Sequence, residues 1–265
     1  MKIVMNGALG RMGRRILTLA SEDQDFEIIG AVDANKDFLG QDIGEIIGIG
    51  KTDVLLTEKL SDTLKYADLV IDFTWPDIIL ETAKICGEAN VPLVMGTTGL
   101  PADKMNEFKA LVSSIPCVMA PNMSVGVNVL FKIAGETAAI LGDDYDIEIS
   151  ETHHRFKKDA PSGTANHLAE IVADALDRNL EEEARYGRVG LSGERTAKEI
   201  GIHALRMGDV VGEHTVSFGT IGERIELTHK AQSRDALAKG AIIAAKFMKT
   251  AKVGFYDMQD VLGLR

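Results

Sequence analysis

"KIVMNGALGRMGRRI", residues 2–16, carries a short apolar run into three glycines, Gly7, Gly10 and Gly13, and then into a helical pattern. A continuous apolar run reads as a strand buried on both faces. Glycines between such a strand and a helix let the backbone approach a pyrophosphate, whose charge then meets the helix N-terminus. Arg11 adds a cation to that turn. The spacing is GxxGxxG, with Leu9 in the place of a middle glycine, so the following residues matter. The next apolar run, "FEIIGAVD", ends on Asp33, about 20 residues on, where an acid suits the ribose hydroxyls of a dinucleotide. Ala34 follows it, and the nearest cation is Lys36. A site committed to the 2′-phosphorylated cofactor favours an arginine there, so NADH is expected and NADPH stays open.

Working outward, "ADLVIDFT", "PLVMGTT" and "CVMAP" repeat the buried-strand pattern, and "PDIILETAKICGEAN" and "PADKMNEFKALVSSI" lie between them as helices with proline near the start. Strand, helix, strand in repetition predicts a doubly wound, Rossmann-like α/β domain. In such a sheet the carboxyl ends of the strands border the ligand crevice. Two loops there, Gly96-Thr97-Thr98-Gly99 and Ala120-Pro121-Asn122-Met123, are candidates for the nicotinamide end.

The pattern changes after residue 123. A helix over "VGVNVLFKIAGETAAIL", a strand "YDIEIS", and the runs "GIHALRMG", "EHTVSFG" and "ERIELTHKA" between glycine-rich turns predict an α+β, mixed-sheet domain with antiparallel pairing. "LDRNLEEEARYGRVGLSGERTAKE" reads as an exposed connection. "SRDALAKGAIIAAKFMKTAKVGFY" reads as an amphipathic helix that fits either domain.

The formal net charge of -11 argues against a nucleic-acid partner, which requires broad basic surface. Cys86 and Cys117 are the only cysteines and have no paired spacing. A reducing compartment fits them. The start runs straight into a strand, without a signal peptide, and no apolar run reaches the roughly 20 residues that span a bilayer. A cytoplasmic protein with no membrane partner is expected.

Against that acidic background, "ETHHRFKKDAPSGTANHLAE", residues 151–170, gathers two histidines, an arginine and two lysines within six positions. His153 and His154 end an alternating strand, so their side chains are expected on opposite faces. That is poor geometry for sharing one metal, and no metal is expected. It suits a division of labour, with one imidazole in the reaction and the other orienting a ligand. Lys157 lies four residues past His153, and Ser162 can cap a helix whose first amides, those of Gly163 and Thr164, can hold a carboxylate. The expected ligand is therefore a small anion. His167, His203, His214 and His229 read as surface or packing residues, although His229, Lys230 and Arg234 form a second cationic cluster that could reach the ligand.

"GALGRMG", "DFT" (72–74), "GTTG", "APNMSVG" and "ETHHRFKKDAPSGTA", in that order and spacing, resemble the dihydrodipicolinate reductase family of lysine biosynthesis, and the resemblance spans essentially the whole chain. It implies NAD(P)H-dependent reduction of 4-hydroxy-tetrahydrodipicolinate, via dihydrodipicolinate, to tetrahydrodipicolinate in the diaminopimelate route. It further implies that Gly7, Ala8, Leu9, Gly10, Arg11 and Met12 bind the pyrophosphate and Asp33 the adenosine ribose. Gly96, Thr97, Thr98, Ala120, Pro121, Asn122 and Met123 would border the nicotinamide. His153 would be the proton donor and Lys157 a second catalytic acid, with His154, Gly163 and Thr164 holding a small dicarboxylate. The family's architecture implies a dinucleotide-binding domain of residues 1–123 with a return segment 234–265. Residues 124–233 would form a substrate-binding domain that also makes a homotetramer. Family members that use NADPH well often carry arginine where this chain has Ala34, so the cofactor is NADH, NADPH or both. A semialdehyde dehydrogenase, or a nucleotide-sensing protein without turnover, would share the first half but leave the His-His-x-x-Lys run unexplained.

Overall fold

The computed structural model describes residues 1–265. In chain order it contains β1 (Lys2–Asn6), α1 (Arg11–Ser21), β2 (Glu27–Val32), α2 (Ile43–Ile47), β3 (Leu56–Thr57), β4 (Leu69–Asp72), α3 (Ile79–Ala89), β5 (Leu93–Met95), α4 (Met105–Leu111) and β6 (Pro116–Met119). There follow α5 (Val125–Leu141), β7 (Asp146–His153), α6 (Gly163–Ala175), α7 (Leu180–Glu183), β8 (Ala184–Tyr186), β9 (Ile200–Arg206), β10 (Gly212–Thr220) and β11 (Glu223–Ala231). The chain ends with α8 (Asp235–Phe247), β12 (Gly254–Tyr256) and α9 (Met258–Val261). Two compact units result: Met1–Val125 with Leu237–Arg265, and Gly126–Ala236.

The first unit is a seven-stranded sheet in the order β12-β6-β5-β4-β1-β2-β3, parallel at every pairing. Its central strands are apolar through their middles because both faces are covered, and Ile3, Val4, Met5, Leu69, Val70 and Ile71 are all fully buried. One core on each side follows, around Ile16, Leu17 and Ala241 on one face and Cys86, Leu93 and Phe108 on the other. The carboxyl ends of β1, β2, β4, β5 and β6 thereby share one edge, where the glycine turn, Asp33 and the 96–98 loop emerge. The terminal segment departs from the expected helix. Helix α8 stops at Phe247, and Gly254, Phe255 and Tyr256 pair in parallel with Pro116, Cys117 and Val118 as the sheet's last strand.

The second unit is a five-stranded mixed sheet, β11-β10-β7-β9-β8, with α5 and α6 packed through Leu130, Phe131, Leu168 and Val172 onto Ile147, Ile149 and Val216. The expected antiparallel pairing holds for β10 with β7 and β11, but β9 runs parallel to β7 and β8. Chain length explains the difference: a tight turn joins β10 to β11, whereas the long connection from β7 to β9 passes through α6 and can return in the same direction.

The segment expected as an exposed connection contains α7 and the edge strand β8, and two of its charged residues are buried. Arg178 donates to Asp143 Oδ1 at 2.7 Å, and Glu199 pairs with Arg188. Contrary to the expectation that no apolar run reaches spanning length, residues 125–144 form a helical stretch long and apolar enough to do so. Within the second unit its apolar face is part of the core, and Lys132 and Glu136 pair at 3.2 Å on its surface.

Candidate active site

In the first unit the glycine turn is fixed by backbone. The amides of Gly7 and Ala8 both donate to the Val32 carbonyl at 2.9 Å, which ties the end of β1 to the end of β2. Gly7 has φ +82°, and a Cβ there would lie 2.4 Å from the Phe73 carbonyl oxygen. At Gly13 a Cβ would come within 2.1 Å of the Gly7 carbonyl oxygen, so glycine is what lets α1 pack against the turn. Gly10 caps α1 without a side-chain hydrogen bond, which leaves the helix's first amides for another acceptor. Asp33 accepts from the Leu9 amide at 2.9 Å and from the Asn35 amide at 3.1 Å, so its carboxylate sits directly against the turn. Lys36 is exposed and 3.8 Å from Glu58.

Residues 9–12, 73–76 and 96–98 line one open cleft of about 640 Å³. A bare helix N-terminus, glycine backbone and a cleft of this volume fit a dinucleotide. The structure thus brings Leu9, Gly10, Arg11 and Met12 together with Gly96, Thr97 and Thr98, while Ala120, Pro121, Asn122 and Met123 follow the neighbouring strand β6. Asp72, in the "DFT" stretch, carries no role that its sequence setting suggests. Its fully buried carboxylate accepts from Thr97 Oγ1 at 2.6 Å, Thr74 Oγ1 at 2.8 Å, Asn6 Nδ2 at 2.7 Å and Thr82 Oγ1 at 3.1 Å. One buried acid therefore pins two of the loops that form the cleft.

In the second unit, β7 ends at His153, and the alternation of the strand puts Glu151 on the same face as His153. Glu151 is buried, and its Oε2 lies 2.5 Å from His153 Nδ1. Arg206, from the end of β9, donates Nη1 to Oε2 at 2.9 Å and Nη2 to Oε1 at 3.0 Å. The Ser162 amide donates to Oε1 at 3.1 Å. Burial alone would raise the pKa of Glu151, but hydrogen bonds from Arg206 and His153 outweigh it and hold the carboxyl below its usual range.

Ser162 caps α6, its Oγ accepting from the Ala165 amide at 3.2 Å and lying 3.1 Å from His214 Nε2. Gly163 is exposed at the start of that helix and Thr164 is buried behind it. Lys157 pairs with Asp159 Oδ2 at 2.9 Å, on the loop between β7 and α6. His154 lies just past the strand end, with its Nδ1 buried and lacking a hydrogen-bond partner.

Burial depresses the pKa of His153, the Glu151 hydrogen bond and charge oppose this, and the Lys157 and Arg206 charges reinforce it; the net shift is downward. His214 is expected from the sequence as a surface or packing residue. It is buried, with its ring 5.2 Å from that of His153, and burial pushes its pKa down to about 3, so it stays neutral at working pH. His229 pairs with it across β10 and β11, and Lys230 pairs with Glu213 at 3.4 Å.

Glu151 and Arg206 were the residues missed. Glu151 could have been found from the alternation of β7, which puts an acid on the face that carries Ile147 and Ile149 into the core.

A family model described as dihydrodipicolinate reductase, N-terminus, matches residues 1–123, and its C-terminus counterpart matches residues 126–262. The chain is 50% identical over 267 residues to 4-hydroxy-tetrahydrodipicolinate reductase of Syntrophus aciditrophicus, covering 100% of this chain and 99% of that one. It is 49% identical to the enzyme of the same name from Desulfotalea psychrophila, covering 100% and 98%. Among solved structures, dipicolinate-bound dihydrodipicolinate reductase from Paenisporosarcina sp. TG-14 superposes with a TM-score of 0.76 at 22% identity, covering 98% of each chain. A myo-inositol dehydrogenase from Corynebacterium glutamicum shares the fold at a TM-score of 0.60 and 12% identity, covering 100% of this chain and 93% of that one.

Proposed function

This chain belongs to the dihydrodipicolinate reductase family, and we propose that its residues 151–164, with Glu151 and Arg206, form the dicarboxylate and proton-donor site of that family's reaction. The protein is an NAD(P)H-dependent oxidoreductase that reduces 4-hydroxy-tetrahydrodipicolinate in the diaminopimelate route to lysine. The observation that carries the site assignment is the hydrogen-bonded unit of His153, Glu151 and Ser162, which places an imidazole beside the cap of a helix whose first residue is exposed. That geometry suits a small cyclic dianion that must be both anchored and protonated.

After loss of water the substrate is a conjugated imine. Residues 7–12, Asp33 and the 96–98 and 120–123 loops would hold the reduced dinucleotide, which would supply a hydride to ring carbon 4. The resulting enamine needs a proton on a neighbouring carbon, and an imidazole is a suitable donor near neutral pH. His153 gives that proton. Lys157 turns from Asp159 to a substrate carboxylate and opposes the charge that develops. The amides of Gly163 and Thr164 take a carboxylate with help from the helix dipole, and His154 adds a polar contact to the substrate. Dipicolinate in the Paenisporosarcina enzyme is a ligand of the same chemical class. A cytoplasmic homotetramer completes the proposal, on the strength of the family.

Cofactor choice rests on Asp33 and Ala34. The carboxylate faces the ribose and repels a 2′-phosphate, and Lys36, exposed and near Glu58, is a weaker phosphate partner than an arginine fork. With NADH and NADPH in parallel assays at 340 nm and freshly made substrate, kcat/KM for NADH is expected to equal or exceed that for NADPH. A tenfold preference for NADPH would refute the reading of Ala34, and no oxidation with either cofactor would refute the assigned reaction.

A further inference from the structure

We infer that Glu151 is a positioning residue that keeps a proton on His153 Nδ1 and so presents Nε2 as the proton-donating atom. The inference rests on the reading of His153 given above and adds what sets its tautomer. A carboxylate held by three hydrogen bonds from other groups cannot rotate away from the ring it faces. Here Arg206 takes both oxygens, the Ser162 amide takes Oε1, and Nδ1 is the partner left for Oε2. Gly212 at the start of β10 lies beside Nε2, and a Cβ there would stand 3.1 Å from it, so the absence of a side chain at 212 avoids crowding that nitrogen.

The same clamp reaches the other parts of the site. Arg206 Nη2 also donates to the Asp159 carbonyl at 2.5 Å, which holds the loop bearing Lys157, and Ser162 begins the helix of Gly163 and Thr164. Glu151 therefore joins proton donor, cationic loop and helix N-terminus through one buried group.

The charged and titratable groups facing His153 come from four elements. They are Glu151 on β7, Lys157 on the following loop, where it is paired with Asp159, Arg206 on β9 and His214 on β10. Glu151 is the closest of the acids and favours the imidazolium, while Lys157 and Arg206 oppose it.

Glu151→Gln keeps the shape but removes the charge and allows an amide N–H to face Nδ1. The general acid must be protonated, so kcat falls as pH rises through its pKa. Loss of a neighbouring opposite charge lowers such a pKa by about 1–3 units. The alkaline limb of the kcat profile is therefore expected to move down by about 1–3 pH units, with activity recovering at the acidic end, NADH binding unchanged, and Glu151→Asp returning the limb toward its original position. A uniform loss at all pH values, or an unmoved limb, would overturn the inference. The wild-type protein supplies an independent test: ¹⁵N spectra of the neutral His153 ring should show protonated Nδ1 and bare Nε2. The opposite tautomer would overturn the inference even if His153 proves to be the proton donor, and activity of His153→Ala separately tests that role.

Discussion

Replacing His153 with alanine is expected to lower kcat by about 10²- to 10⁴-fold, the usual contribution of a positioned general acid, while leaving the affinity for NADH nearly unchanged. The dissociation of the two effects follows from the fold. The cofactor residues belong to the parallel sheet of the first unit, and His153 belongs to β7 of the second. Removal of the ring also leaves Glu151 buried with Arg206 and the Ser162 amide as partners, so the carboxylate stays compensated and the unit should fold. Steady-state kinetics with a parallel NADH titration decides the matter. Turnover near the wild-type value would take His153 out of the mechanism.

Lys157→Ala should reduce kcat/KM by roughly 30-fold or more, because truncating one partner of a hydrogen-bonded charge pair costs about 2–5 kcal/mol. Both kcat and KM are expected to change. The ammonium anchors a substrate carboxylate and also opposes charge that appears only as the reaction proceeds, so its loss affects ground state and transition state together. In the free protein Lys157 is held by Asp159 at 2.9 Å, and burial, which raises the Asp159 pKa, is outweighed by that hydrogen bond, so the acid stays ionised. Without the lysine, Asp159 would add an unpaired negative charge beside an anionic ligand. A raised KM with unchanged kcat would reduce Lys157 to an anchor with no part in the chemical step.

The parallel sheet was legible because β1, β2, β4, β5 and β6 are buried on both faces and so read as continuous apolar runs. Short edge strands carry no such signal. Strand β3 has two residues, and β12 is the tripeptide Gly254-Phe255-Tyr256, which becomes a strand only because β6 offers a free edge. The direction of β9 was hidden for another reason, since alternation reports which face a residue occupies and says nothing of strand direction.

The site shows the same division. The cations of 151–164 stand together in the sequence, and Ser162 before Gly163 carries its own capping signal. The pair of Arg206 with Glu151 spans 55 residues and depends on β7 and β9 lying side by side, with His153 in register with Arg206. No local pattern could report it. Asp72 was hidden in a different way, since an acid at the end of an apolar strand looks exposed until Thr74, Thr97, Asn6 and Thr82 are seen around it.

A crystal structure of the protein with pyridine-2,6-dicarboxylate should show one carboxylate on the amides of Gly163 and Thr164, the other within reach of Lys157, and His153 Nε2 directed at the ring. A ligand bound away from residues 153–164, or one seated there with His153 Nδ1 turned toward it and Glu151 released, would rule out this arrangement of anchor and proton donor.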